Sequence, residues 1–303
     1  MYSDFFIRKC IHLKSALLIV LIIFLYSFQT LFCAKYSDNY KGKPENSSAV
    51  FCVLEGLFLC LFTLAWIGFK FELSPMSALF GILNACALFG YNTSLIKANA
   101  RGSYAFMNVV MLFGGILLPM LYSIVIRGDS LAWYQFVAIG LMLVSFVLMN
   151  YREIKLKGAP VSYYIFCLIL FICNGLYGTL LTMQSDYNES QKSEMLILTF
   201  GIMSIIAFFQ LAAKEKKAVF KAFSVGKKAV LPLLLCLISA SVAANILILI
   251  IPMVNTAVLF TVQSGGVLLL SVAYSYLFFR EKATVSGIAG FLLALLSITI
   301  LSL

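Results

Sequence analysis

Charge is what this chain lacks most. Only 34 of 303 side chains are Asp, Glu, Lys or Arg, 11% of the total, against roughly a quarter in a soluble globular protein. With 62% hydrophobic residues and a mean hydropathy of +1.02, the deficit excludes an ordinary solvated domain, a disordered chain and a nucleic-acid binder. Histidine is nearly absent as well: His12 is the single one, which argues against His-dependent catalysis and multi-His metal sites. The eight cysteines, at 10, 33, 52, 60, 86, 167, 173 and 236, form no CxxC pair and read as packing residues inside helices. No Walker-type glycine loop is found, so the chain does not hydrolyse ATP by that route. Paired acids in the apolar segments are missing too, and the expectation is a non-enzyme with no cofactor and no bound metal.

What is there is length of apolar run. Ten segments stand out, 15–34, 49–69, 76–96, 103–126, 131–151, 161–185, 195–213, 229–251, 255–279 and 283–303, and a single charged side chain, Glu55, falls inside them. Each is long enough, at about 1.5 Å per residue, to cross a hydrocarbon layer about 30 Å thick. Lipid offers the backbone no hydrogen-bond partners and no alternating barrel pattern is seen, so the segments are predicted to be helices. The first follows Arg8, Lys9 and Lys14 as a signal peptide would, yet it runs to Ala34 without a small-x-small cleavage pattern and reads as a retained span.

The net charge of +10 is unevenly spread. Loops after odd-numbered spans hold sixteen Lys and Arg, including Lys214, Lys216, Lys217, Lys221, Lys227 and Lys228, and the N-terminus with the other loops holds six. The positive-inside rule then places the sixteen in the cytoplasm and both chain ends outside.

Laid against itself, the chain repeats at a shift of about 150. Tyr26 matches Tyr177, Gly114-Gly115 matches Gly265-Gly266, and Gly140 matches Gly290. Five spans lie in each part, 1–155 and 156–303. An odd number reverses direction across the membrane, so the expected fold is an all-α polytopic membrane protein of ten transmembrane helices in two inverted five-helix repeats. Paired inverted repeats enclose a site near the bilayer midplane and expose it alternately to each side.

These residues resemble the drug/metabolite transporter superfamily, in particular its EamA-like family of ten spans as five plus five. The passages that carry the likeness run from Asn92-Thr93-Ser94-Leu95 to Gly114-Gly115, and from Pro252 through Gln263-Ser264-Gly265-Gly266 to Phe279-Arg280-Glu281-Lys282. Gly128-Asp129 and Arg280-Glu281 look like the short acidic turns before the fifth and tenth spans. The resemblance implies a carrier in the cell membrane with spans five and ten peripheral. It also implies cytoplasmic chain ends, opposite to the charge count, and the orientation stays open.

Polar side chains inside the spans mark where cargo could sit. Span one offers Tyr26 and Gln29, span three Asn84, Tyr91 and Asn92, span four Asn108, span six Asn174, Tyr177 and Gln184, span eight Asn245, and span nine Gln263 and Ser264. For each amide the alternative is interhelical hydrogen bonding. Glu55 is the candidate for coupling to a proton gradient or for attracting a cationic cargo, with a hydrogen-bonded structural carboxyl as the alternative. The reading is a secondary transporter of a small polar metabolite, an amino acid, amine or related solute, moved by alternating access with any coupling through a proton or solute gradient. The partners are thus a small-molecule substrate and the lipid bilayer. Rival readings are a carrier of nucleotide sugars or lipid-linked cargo, disfavoured because no span interior holds the Lys or Arg that phosphate would want, and a non-transporting membrane scaffold.

Overall fold

The computed structural model describes residues 2–99, 101–102, 104–151, 159–278 and 284–301, and the side chains of Asn108, Ser271 and Ser275 lie outside that description, as does the Arg280-Glu281 turn. Within it the chain is all helix: α1 Tyr2–Asn39, α2 Ser47–Trp66, α3 Pro75–Asn99, α4 Tyr104–Val125, α5 Trp133–Asn150, α6 Val161–Tyr187, α7 Lys192–Glu215, the single turn α8 Val219–Ala222, α9 Lys227–Ile250, α10 Thr256–Phe278 and α11 Val285–Leu301. Among the described residues, six helices are long and apolar enough to cross a membrane, those at 14–37, 47–66, 75–95, 161–187, 189–215 and 227–253. Shorter apolar stretches of 10–17 residues, Val109–Val125, Trp133–Met149, Thr256–Leu270 and Val285–Leu301, fall where spans four, five, nine and ten were expected. Helix α1 extends past the apolar run at both ends, because a helix need not stop where lipid does.

The helices begin where side chains replace missing backbone partners. Ser74 Oγ accepts from the Ser77 amide ahead of α3, with Pro75 at its first position, Asn255 Oδ1 accepts from the amides of Ala257 and Val258 at the start of α10, and Thr284 Oγ1 accepts from Gly287 at α11. Gln135 Oε1 reaches back to the Ala132 amide at 3.0 Å, so this amide of α5 serves the helix end. After α2 the chain turns through left-handed Gly68 and Phe69.

Large apolar side chains point outward along the helices. Leu61, Leu168, Phe209, Leu231 and Leu292 each keep more than half their surface accessible, an area of apolar contact that suits lipid and not water. Both tryptophans stand at helix ends, Trp66 closing α2 and Trp133 opening α5, and both are exposed, the usual place for an amphipathic ring at the membrane boundary. The chain is a multi-helix membrane protein. In lipid, association gains little from the hydrophobic effect and rests on close packing and hydrogen bonds, and the contacts follow that rule.

Helix α2 packs on α7 and α5 on α11. Gly56 abuts Phe200 and Ser204 while Gly201 faces Cys60, so residue numbers rise along α2 as they fall along α7 and the two are antiparallel. Ser297 donates to the Ala138 carbonyl at 2.7 Å and Gly290 lies against Ser145, giving the same sense to α5 and α11. Helices α4 and α6 run parallel: Gly114 sits against the Phe171 backbone, Leu118 against Gly175 and Pro119 against Gly178. Helix α10 packs on α1 in like manner, Gly266 against Ile23 and Tyr274 against Ser27 and Phe28. The remaining large contacts are α1 with α9, and α3 with α6 and α7. Of the six long apolar helices α9 is the most enclosed, with 72% of its most apolar stretch buried against 17% for α1.

Candidate functional site

The four polar residues that the bundle draws together come from α1, α2 and α6. Gln29 Nε2 donates to Glu55 Oε1 at 3.2 Å. Tyr26, one turn earlier on α1, lies within electrostatic reach of both Glu55 and Tyr177, and Tyr177 within reach of Glu55. Glu55 itself is 8% exposed. It stands eight residues into α2, about 12 Å along an axis that needs about 30 Å to cross the hydrocarbon, so it is nearer the midplane than the apolar run alone suggests. Tyr26 and Tyr177 pack against the main core cluster, with Leu59, Phe80, Met203 and Ala244 among its members. Both rings lie deep among protein atoms and yet keep accessible surface.

The other polar residues selected from the sequence divide by what they touch. Asn174 Nδ2 donates to the Met111 carbonyl at 2.8 Å and rests on Gly115, tying α6 to α4. Asn245 Nδ2 donates to Thr63 Oγ1 and to the Ser241 carbonyl, both at 2.9 Å, tying α9 to α2. Gln184 Nε2 donates to the Asn188 carbonyl at 2.8 Å and so finishes α6. Tyr91 donates to Met111 Sδ at 3.1 Å and Asn92 to Met203 Sδ at 3.7 Å, soft acceptors on neighbouring helices. Asn84 is fully buried with neither amide atom partnered among the described residues, and Gln263 Oε1 is in the same condition. Among the described residues the oxygens of Gln184 and Asn245 are unpartnered as well, though their nitrogens are held; leaving such a group unpaired costs about 1–3 kcal/mol, so Asn84, with neither atom held, is best suited to meet a polar guest. Ser264 is half-buried beside Gln263. The Asn108 side chain lies outside the described residues.

The tied amides give a first expected result. Asn245→Val and Thr63→Val, alone and combined, should show a coupling energy of about 0.6 to 1.7 kcal/mol in thermal unfolding. Additive effects would detach Asn245 from α2 and return it to the set of cargo contacts.

Sequence reasoning missed the ionic ties at the two ends of the bundle. At one end Arg127, just past α4, lies 3.6 Å from both Asp129 and Asp186 and donates to Thr256 Oγ1 at 3.0 Å, while Tyr122 donates to Asp186 at 3.0 Å. This joins α4, α6 and α10. At the other end Lys43 meets Glu215 at 2.9 Å and Lys214 meets Glu45 at 3.4 Å, joining the α1–α2 loop to the end of α7. The Glu215 carboxylate holds the Lys43 ammonium above its ordinary pKa. Apart from the neighbouring Asp129, these partners stand between 59 and 172 residues apart along the chain, and no local pattern announces them. Among the described residues no group of three or more His, Cys, Asp or Glu converges as a metal site would.

No protein-family profile matches this chain, and no curated protein sequence is significantly similar to it. In fold, 28 chains of solved structures match significantly. One, a crystal structure of a protein, aligns over 95% of this chain and 96% of its own with a TM-score of 0.71 at 13% identity, which establishes a shared fold and nothing finer.

Proposed function

We infer that the protein is a secondary transporter of the EamA-like, drug/metabolite type, not an enzyme. It carries a small polar metabolite across the cell membrane by alternating access between two inverted five-helix repeats, 1–155 and 156–303. The observation that carries the reading is the mid-depth cluster of Gln29, Glu55, Tyr26 and Tyr177, brought together from α1, α2 and α6. Polar groups at that depth are costly in lipid and ordinarily serve a pathway or a bound solute.

The contacts support the repeat. Tyr26 and Tyr177 are 151 residues apart and lie within electrostatic reach of each other. Ser204 Oγ donates to the Val53 carbonyl at 3.0 Å, again between residues 151 apart. Matched residues of two copies touch each other only on the axis that relates the copies. The pairing of α1 with α9 and α10 has its counterpart in the pairing of α6 with α3 and α4, and both glycine pairs serve as close-approach surfaces, Gly114-Gly115 for α6 and Gly265-Gly266 for α5 and α1. Ten crossings, with the four shorter apolar helices included, satisfy the antiparallel sense of α2 with α7 and of α5 with α11. In such a carrier the Arg127 tie and the Lys43 tie are contacts that part and re-form at opposite faces.

The test is flux. Full-length protein in proteoliposomes, offered a panel of 14C-labelled amino acids and amines under an imposed proton gradient, is expected to accumulate at least one of them above protein-free vesicles. Equality with protein-free vesicles across the amino acids and amines would leave a scaffold.

A further inference from the structure

We propose that Cys33 and Cys236 form a redox tether: a reversible disulfide between α1 and α9, formed on exposure to hydroperoxide, that clamps the two repeats together beside the Gln29–Glu55 pair.

The two cysteines already stand on facing surfaces of α1 and α9. Cys236 Sγ donates to the Gln29 carbonyl at 3.4 Å, and Cys33 follows Gln29 by one helical turn on the same face of α1. In a helix the Gln29 carbonyl points along the axis toward Cys33 one turn on, so this bond brings Cys236 up to Cys33, and the two thiols lie within electrostatic reach of each other, although 203 residues separate them in sequence. Neither is in a disulfide in this structure. Joining them asks for a sulfur–sulfur bond of about 2.05 Å, within reach of side-chain rotation and a small slide of packed antiparallel helices.

Their surroundings are unequal in a way that assigns roles. Cys33 is partly accessible and lies four residues before Ser37, where the apolar window of α1 ends, about 6 Å from that boundary. Cys236 is fully buried. Cys33 is therefore the sulfur a small uncharged peroxide reaches first. Its thiolate attacks one peroxide oxygen, the O–O bond breaks, and a sulfenic acid and water result. Cys236 then attacks the Cys33 sulfur, the S–S bond forms, the S–O bond breaks, and the hydroxyl leaves as a second water with the proton of Cys236. Two thiols are oxidised and one hydrogen peroxide is reduced to two waters. Thiol exchange with a small dithiol reverses the bond.

A third thiol sharpens the assignment. Cys52 on α2 is buried and within electrostatic reach of Cys33, and a bond between them would stay inside the first repeat and clamp nothing. The bond of Cys236 to the Gln29 carbonyl, one turn from Cys33, selects Cys236.

The consequence for transport rests on the carrier reading, whereas formation of the bond does not. Full-length protein in lipid nanodiscs is treated with hydrogen peroxide, blocked with N-ethylmaleimide, and digested without reduction for peptide mass spectrometry. The expected product is the Cys33 peptide linked to the Cys236 peptide, absent in Cys33→Ser and in Cys236→Ser and unchanged in Cys52→Ser. Cys33 linked to Cys52, or Cys33 found only as sulfinic acid, overturns the tether. In proteoliposomes, uptake of the 14C-labelled amino acid and amine panel should be lost on peroxide treatment, regained with dithiothreitol, and insensitive to peroxide in Cys236→Ser. Undiminished uptake with the bond present overturns the clamp. Absence of uptake in reduced and oxidised protein alike, with the linked peptide found, overturns the carrier reading and upholds the tether as a modification site.

Discussion

Replacing Gly114 with valine should lower the melting temperature of the detergent-solubilised protein sharply, well beyond the effect of removing any single interhelical hydrogen bond. A Cβ at this position would collide with the carbonyl and Cα of Phe171 on α6, which are backbone atoms and cannot rotate aside. The opposing face is equally tight, since a Cβ at Gly175 would lie 2.6 Å from the Gly114 carbonyl and as close to Leu118. Overpacking a core costs about 1–3 kcal/mol when side chains can yield, and at Gly114 the helices themselves would have to separate. In lipid that separation forfeits the packing on which association depends. Gly175→Val should act alike, and the double variant should lose less than the sum because both open one contact. Gly140 has nothing within 4 Å of its would-be Cβ, so Gly140→Ala serves as the control and should melt as the parent does. Equal melting of Gly114→Val and Gly140→Ala would refute the close approach of α4 to α6.

Glu55→Gln is expected to abolish gradient-driven uptake while leaving the fold intact. The substitution keeps the shape and the oxygen that accepts from Gln29 at 3.2 Å, and it removes the one titratable carboxyl inside the apolar segments. A carboxylate at mid-depth costs about 2.5–3.5 kcal/mol on insertion scales, so the neutral amide should melt at the parent temperature or slightly above it. A carrier that loads a proton on Glu55 cannot do so on glutamine. Uptake of the 14C-labelled panel, measured across stepped external pH, should therefore flatten, with solute exchange at equal pH retained. A pH profile like that of the parent would take Glu55 out of the mechanism and leave it as a partner of Gln29.

The composition was enough to identify the solvent. With charge nearly confined to the loops, lipid was the only medium in which these segments could lie, and lipid admits little but helices. Helix ends followed less closely, as α1 shows, because capping and loop contacts extend helices beyond the apolar boundary. The candidate site was legible in kind and not in detail. Twelve neutral polar residues and Glu55 were visible as polar positions in apolar runs, but helical spacing gives only the direction of a side chain around its own axis. Which neighbour stands there depends on the packing. Among the described residues Asn245 and Asn174 point to a partner helix, Asn84 and the Gln263 oxygen to none, and all four have the same local pattern of an amide among aliphatics.

Membrane residence, then, came from order along the chain, forced by the energy of burying charge. The meeting of Ser204 with Val53, of Arg127 with Asp186 and of Cys236 with the Gln29 carbonyl was decided by tertiary structure alone. Such contacts span from 59 to 207 residues, and they depend on which helices pack together and at what depth. Local sequence encodes how a helix is faced, and packing determines what it faces.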